Sequence, residues 1–291
     1  MSIDVGMEIE VKSIGQLILK DHIRTGGSAD VYVAEAEDGE QYAVKIHRAR
    51  KNSKQHELDI SRESTKFVNH PNICSCLDSG IVELSNDRKC HALVFPLFLY
   101  DELGDYMEED FTGTRKIDLL SKENKLSISR DIIAGIAAIH KAGWIHGDIS
   151  SRNVLLNSES NQVKVIDFEF ARPLNETPGN EELNRGTKEY TAPEVDHYNI
   201  KATSGASDIW ALGILLAEIW NSNIQNYLRD IGGWVQWKEM HGTSTPIITA
   251  DKPSGIPEQL WELVRNCSII DRSLRPTSEE LSIAFNEYRG E

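Results

Sequence analysis

Gly186-Thr187-Lys188-Glu189-Tyr190-Thr191-Ala192-Pro193-Glu194 stands at the end of a long polar stretch, Arg172 to Lys188, and the architecture can be read outward from it. Downstream, Asp208-Ile209-Trp210-Ala211-Leu212-Gly213 opens an apolar run to Trp220 that predicts a buried helix. Helical periodicity returns in Glu258–Cys267 and in Ser278–Tyr288, with Asp271 and Arg275-Pro276-Thr277 between them. Upstream, Leu126 to Ala142 carries Ile128, Ile132, Ile133, Ile136 and Ile139 at helical spacing, and short strands are expected at Val154–Leu156 and Val163–Ile166. The polar stretch itself reads as loop. Nearer the N-terminus the period changes to two. LILKDHI, VYVAEAE and QYAVKIH alternate between Gln16 and Arg48, with Asp38-Gly39 as a hairpin turn. A helix is expected from Gln55 to Asn69, stopped by His70-Pro71, then a buried strand in Cys90–Leu99, with Cys74 and Cys76 alternating along another strand. The result is an α+β chain, a small β-rich part followed by a larger, mainly helical one.

The chain has 291 residues and a formal net charge of −15, which disfavours nucleic acid and anionic membranes as partners and favours basic ones. Its four cysteines, Cys74, Cys76, Cys90 and Cys267, form no CxxC pair and no Cys/His spacing of the zinc type, so reduced thiols are expected. The opening MSIDVGMEIE has neither a basic flank nor an apolar core. The longest apolar stretch, Ala211–Trp220, is interrupted by Glu218 and is too short for a membrane span. A cytoplasmic location without membrane attachment is the expectation.

Phosphoryl transfer needs phosphates held in place, a metal to neutralise charge and a group that orients the attacking hydroxyl. Thr25-Gly26-Gly27-Ser28-Ala29-Asp30-Val31 lies between two strands, where glycines let backbone N–H groups approach phosphate oxygens. Ala43-Val44-Lys45 places a lysine inside an apolar strand, which is costly unless the charge is paired. His146-Gly147-Asp148-Ile149-Ser150-Ser151-Arg152-Asn153 and Asp167-Phe168-Glu169 follow, the second directly after an apolar strand.

Taken together, and in this order, these motifs resemble those of the eukaryotic-type protein kinases, from about Leu17 to about Tyr288. The resemblance implies a bilobal fold: an N-terminal extension 1–15, an N-lobe 16–98 and a C-lobe 99–291, forming one catalytic domain. It implies ATP and Mg²⁺ as cofactors, with Gly26, Gly27, Ser28, Val31, Ala43, Lys45 and Leu155 at the nucleotide. Adenine is expected at Pro96 to Phe98 behind Phe95; Pro96 has no N–H to give, so Phe98 is to supply the donor. Lys45 is expected to pair with the phosphates and with Glu63, Glu57 being the competing choice. Asp148 is the expected base, Asn153 and Asp167 the metal ligands, and Arg152 the phosphate contact. Thr187 is expected to reach Asp148, as in serine/threonine kinases, and Glu194 and Arg275 to form a buried ion pair. Departures are Arg24 and Ala29 in place of glycines, Gly147 in place of arginine and Glu169 in place of glycine.

The resemblance implies an ATP-dependent serine/threonine protein kinase acting on protein substrates, possibly basic ones, with arginine favoured before the acceptor because Asp101 and Glu102 follow the hinge. Two rival readings stand beside it. Gly147 and Glu169 are also similar to small-molecule phosphotransferases of the aminoglycoside or choline kinase type, which lack the Gly186–Glu194 segment. The degenerate glycine loop also fits a pseudokinase scaffold, against which stand Lys45, Asp148, Asn153 and Asp167. In the family, the arginine before the base pairs with a loop phosphate. Gly147 offers no such group, and Thr177 is the only hydroxyl between Phe170 and Arg185. Activity independent of loop phosphorylation is therefore expected, set intrinsically or by a regulatory protein partner, unless Arg172 or Arg185 takes over the contact.

Overall fold

The computed structural model describes residues 5–27, 29–48, 69–83, 89–174, 187–195, 203–220, 224, 233–249 and 251–288. All but the last residue of the expected helix from Gln55, with Glu57 and Glu63, lies outside them, as do Ser28, Thr177, Arg185 and Gly186. The chain falls into two compact units, Met1–Asn69 with Cys74–Leu99, and His70–Ile73 with Tyr100–Glu291.

The first unit holds six strands: β1 (Glu8–Val11), β2 (Gly15–Thr25), β3 (Ala29–Ala36), β4 (Gln41–His47), β5 (Asp78–Glu83) and β6 (Lys89–Pro96). Neighbours pair antiparallel in the order β1-β2-β3-β4-β6-β5. At the Asp38-Gly39 turn the Gly39 N–H donates to the Ala36 carbonyl (3.0 Å) and the Ala36 N–H to the Glu40 carbonyl (2.9 Å). Alternation along the strands sends Leu17, Leu19, Ala34, Val44, Ile46, Val82 and Val94 into one core cluster.

β1 lies in the segment set apart above as an N-terminal extension. Its Ile9 and Val11 are fully buried in the same cluster. Besides β2 it pairs with β5, Glu10 opposite Ile81 and Val11 opposite Gly80. A Cβ on Gly80 would stand 2.6 Å from the Glu10 carbonyl oxygen, so glycine is what lets the two strands approach. Cys74 and Cys76 do not alternate on a strand. Both are buried in the irregular run before β5, where the Cys76 thiol donates to the Asp78 carbonyl (3.1 Å). All four cysteines are buried and form no disulfide, and burial pushes the Cys267 thiol up to about 12.

The second unit is built on helices, with β7 (Asp101–Glu102), β9 (Val154–Leu156) and β10 (Val163–Val165) in one small sheet and β8 (Trp144–Ile145) paired with β11 (Arg172–Pro173). The helices are α1 (Leu103–Met107), α2 (Lys122–Lys141), α3 (Gly205–Trp220), α4 (Gly233–His241), α5 (Glu258–Asn266) and α6 (Ser278–Glu287). α2 starts where the Ser121 hydroxyl accepts the Asn124 N–H (3.2 Å) and buries its isoleucine stripe. α3 is buried on every side from Ser207 to Trp220, as its lack of a polar face predicts. α6 opens on a capping box between Thr277 and Glu280. No helix among the described residues is long and apolar enough to cross a membrane.

Buried Arg115 ties the short turn before α2 to α3. Its guanidinium forks onto Asp118 (Nε to Oδ2 and Nη2 to Oδ1, both 2.9 Å) and donates to the Glu218 carbonyl (3.0 Å). The Arg115 bonds hold the Asp118 carboxyl below its ordinary value, against the cost of its partial burial. A depressed carboxyl contributes stability that is present above its unfolded value, near 4, and is lost as pH falls through the folded one. The thermal midpoint is therefore expected to drop as pH is lowered from about 6 to about 3, and to drop less in Asp118→Asn. Equal slopes in the two proteins would remove this pair from the acid response.

Candidate active site

The loop His146–Asn153 is held from below by one buried carboxylate. Asp208, on the first turn of α3, accepts the backbone N–H groups of His146 (2.7 Å) and Gly147 (2.9 Å). The His140 ring at the end of α2 meets its Oδ2 at 2.9 Å and the Ser278 hydroxyl at 3.0 Å. Burial pushes the Asp208 carboxyl up, but the hydrogen bonds from His140 and the backbone amide outweigh it, and the net direction is down. Asp208 was legible as part of a motif. What it holds was not, although a carboxylate in an apolar helix signals a buried acceptor task.

Asp148 is the hub of the loop. Its Oδ1 accepts both the backbone N–H (2.8 Å) and the hydroxyl (2.9 Å) of Thr187, and its Oδ2 accepts the Asn153 amide (2.9 Å). The same Asn153 nitrogen donates to the Asp148 carbonyl at 2.7 Å. Three residues singled out from sequence are thus in direct contact. Burial pushes the Asp148 carboxyl above its ordinary value and the charge of Asp167 adds to the rise, while His146 and the Thr187 bonds oppose it. A cavity of about 40 Å³ lies beside it, lined in part by Ile149, Thr191 and Ser207.

Asp167 adopts φ +63°, a left-handed conformation rare outside glycine. It is flanked by contacts to the loop: the His146 Nε2 donates to the Ile166 carbonyl (3.0 Å), and the His146 and Phe168 rings lie 5.1 Å apart. His146 Nδ1 accepts the Asp148 N–H (3.2 Å), which fixes the tautomer. Among the described residues no group of three or more His, Cys, Asp or Glu side chains is placed to hold a metal ion. The donor set still fits a hard cation. Asn153 spends its nitrogen on Asp148 and keeps its amide oxygen, and Asp167 brings a carboxylate. Arg152 is exposed, and Leu155 is half-buried in β9.

Tyr190 links the segment that carries Thr187 to the loop. Its hydroxyl donates to Glu218 Oε2 of α3 and lies 3.1 Å from the Ser151 hydroxyl. Burial and then the Glu218 carboxylate push the phenol well up, so it stays a donor. Glu218 read from sequence only as an interruption of an apolar run, and that interruption was the available signal. The pair Glu194 and Arg275 is present: Nη1 to Oε1 and Nη2 to Oε2, both 2.7 Å.

In the first unit, Val31, Ala43, Lys45 and Phe95 are half-buried on the sheet face opposite the core cluster, with Val31 opposite Lys45 and Ala43 opposite Phe95 in the register. The Gly26 N–H donates to the Ala29 carbonyl (2.8 Å), which closes the turn around exposed Gly27. Pro96 ends β6 opposite Tyr42, and Phe98 is half-buried two residues on. Arg48 forks onto Asp30 at 3.0 and 2.7 Å and lowers its carboxyl.

Residues 18–284 match the protein kinase domain, and the chain belongs to that family. It is 30% identical over 277 residues to the serine/threonine-protein kinase shk2 of Schizosaccharomyces pombe, covering 90% of this chain and 42% of the relative. A putative leucine-rich repeat receptor-like serine/threonine-protein kinase of Arabidopsis thaliana is 27% identical over 275 residues, 90% of this chain and 30% of its own. The DNA damage response protein kinase DUN1 of Saccharomyces cerevisiae is 30% identical over 199 residues, 61% of this chain and 37% of its own. The chain spans less than half the length of these relatives.

Proposed function

We propose that this domain transfers the γ-phosphoryl group of ATP to serine and threonine hydroxyls of protein substrates. The observation that carries the reading is the Asp148 carboxylate held between Thr187 and Asn153, a half-buried base whose pKa is raised and whose direction is fixed by three hydrogen bonds. In the reaction the substrate oxygen bonds to the γ-phosphorus, the bond from that phosphorus to ADP breaks, and the hydroxyl proton passes toward Asp148. Asn153 and Asp167 are the residues that would hold Mg²⁺, which when bound neutralises charge on the phosphates. Lys45 is assigned to the phosphates, with Gly26, Gly27, Val31, Ala43 and Leu155 around the nucleotide and Pro96–Phe98 at adenine. Arg152, exposed beside the base, is assigned to the transferring phosphate.

Serine and threonine are favoured as acceptors because Thr187, on the segment leading to Ala192-Pro193-Glu194, is bonded to the base. Exposed Asp101 favours basic residues before the acceptor. Loop phosphorylation is not required: Gly147 supplies no cation, and Arg172, a candidate to take a loop phosphate in its place, is buried in β11.

The test is transfer from labelled ATP with Mg²⁺ to a peptide array, before and after phosphatase treatment. Expected are serine and threonine products, a preference for upstream arginine, and most of the activity retained after treatment and in Thr177→Ala. Tyrosine products would overturn the acceptor assignment, and collapse after phosphatase would overturn the switching one. Nucleotide binding without transfer to any acceptor would leave a scaffold.

A further inference from the structure

We infer that Gly147 is a positioning residue for Asp167, because the Cβ it lacks is the seat on which the Phe170 backbone rests. The inference deepens the proposed reaction, since it assigns what fixes one of its metal-ligand candidates. Gly147 has φ +84°, and a Cβ there would stand 2.6 Å from the Phe170 carbonyl oxygen and 3.2 Å from the Phe170 Cβ. The contact is to backbone, so no rotamer change relieves it. It completes a series. Ile166 receives the His146 ring nitrogen, Phe168 packs its ring against the same imidazole, and Phe170 sits on Gly147. Asp167, at φ +63°, is held between the first two contacts, and the turn beyond it closes with the Ala171 N–H on the Phe168 carbonyl (3.0 Å). A left-handed aspartate persists only where its surroundings impose that conformation. The loop imposes it here from both sides, through His146 and through the bare α-carbon of Gly147. Gly147 therefore replaces a charge-based link between loop and segment with a steric one that needs no phosphate.

Gly143 supplies the control. Its φ is +83°, nearly that of Gly147, but a Cβ there would meet nothing within 4 Å. Gly143→Ala carries the left-handed strain without the collision. Hydrogen exchange of the protein free of nucleotide and metal is the first measurement. The Ala171 amide is expected to be protected in the wild type and in Gly143→Ala, and to exchange at least ~10-fold faster in Gly147→Ala. An unprotected Ala171 amide in the wild type overturns the seat whether or not any variant folds. In steady state, Gly147→Ala is expected to lose at least ~10-fold in kcat with peptide KM within about twofold, and to lose the gain in ATP affinity that Mg²⁺ confers while keeping its metal-free affinity. Wild-type exchange and kcat in Gly147→Ala, or equal losses in Gly143→Ala, would overturn the inference. If the wild type phosphorylates nothing, the proposed function fails, and the exchange comparison still decides the seat.

Discussion

Asp148→Ala is expected to lower phosphoryl transfer by at least ~10³-fold while leaving the protein folded. Two losses combine. The proposed base for the hydroxyl proton is gone, and Thr187 and the Asn153 amide lose the carboxylate that orients them. Folding survives because Asn153 keeps the Asp148 carbonyl and the loop keeps its two bonds to Asp208. Asp148→Asn is expected to fail as well. One amide end must face either the Thr187 donors or the Asn153 nitrogen, donor against donor. Lys45→Ala and Asp167→Ala are expected to cost at least ~10²-fold each, since each removes charge preorganised for the phosphates. Single-turnover rates with thermal unfolding of the same samples check this. Wild-type rates in Asp148→Ala would remove it from the chemistry.

The second large effect is on stability. Arg275 is buried, and all its donors are used: Nη1 and Nη2 on Glu194, Nη1 on the Ala206 carbonyl (2.7 Å), Nε on Ile269 (2.7 Å) and Nη2 on Ile270 (3.2 Å). The guanidinium also lies 5.0 Å from the centre of the Trp210 ring. Glu194→Ala leaves that charge buried without its counter-ion, a change that costs about 3–5 kcal/mol. Denaturant unfolding should show a loss of this size, and Arg275→Ala a comparable one. Arg275→Met, which removes the charge and keeps much of the volume, is expected to cost less than Glu194→Ala, because the penalty comes from the orphaned ion more than from the lost pair. A Glu194→Ala change under about 1 kcal/mol would mean that water reaches the site.

What was legible in the sequence is what is local. The helices α2, α3, α5 and α6 announce themselves by period, and the β2-β3-β4 run by alternation and one Asp-Gly turn. Thr187, Asp148 and Asn153 were recognisable as motif letters before their contacts were known. β1 was missed because four residues carry little periodicity, and the strand β5 that it joins lies far along the chain. Its place is set by tertiary pairing rather than propensity. Gly147 was read from sequence as a missing arginine. Its φ and the Phe170 carbonyl above it depend on how two loops approach, which spacing does not encode. The Tyr190–Glu218 link was hidden for the same reason, since one partner looked like a flaw in a greasy helix and the other like a motif residue.

The burial of every cysteine has a practical side. Thiolate is the reactive form of the side chain, and these four thiols are shut away from reagents, Cys267 with its ionisation pushed far above neutral pH. The folded domain therefore offers electrophiles a blank background, so that covalent ligands of the nucleotide site must target lysine or another group. A cysteine introduced at any exposed position becomes a single handle for a fluorophore or spin label. The native four, silent while the chain is folded, become a chemical clock for its opening.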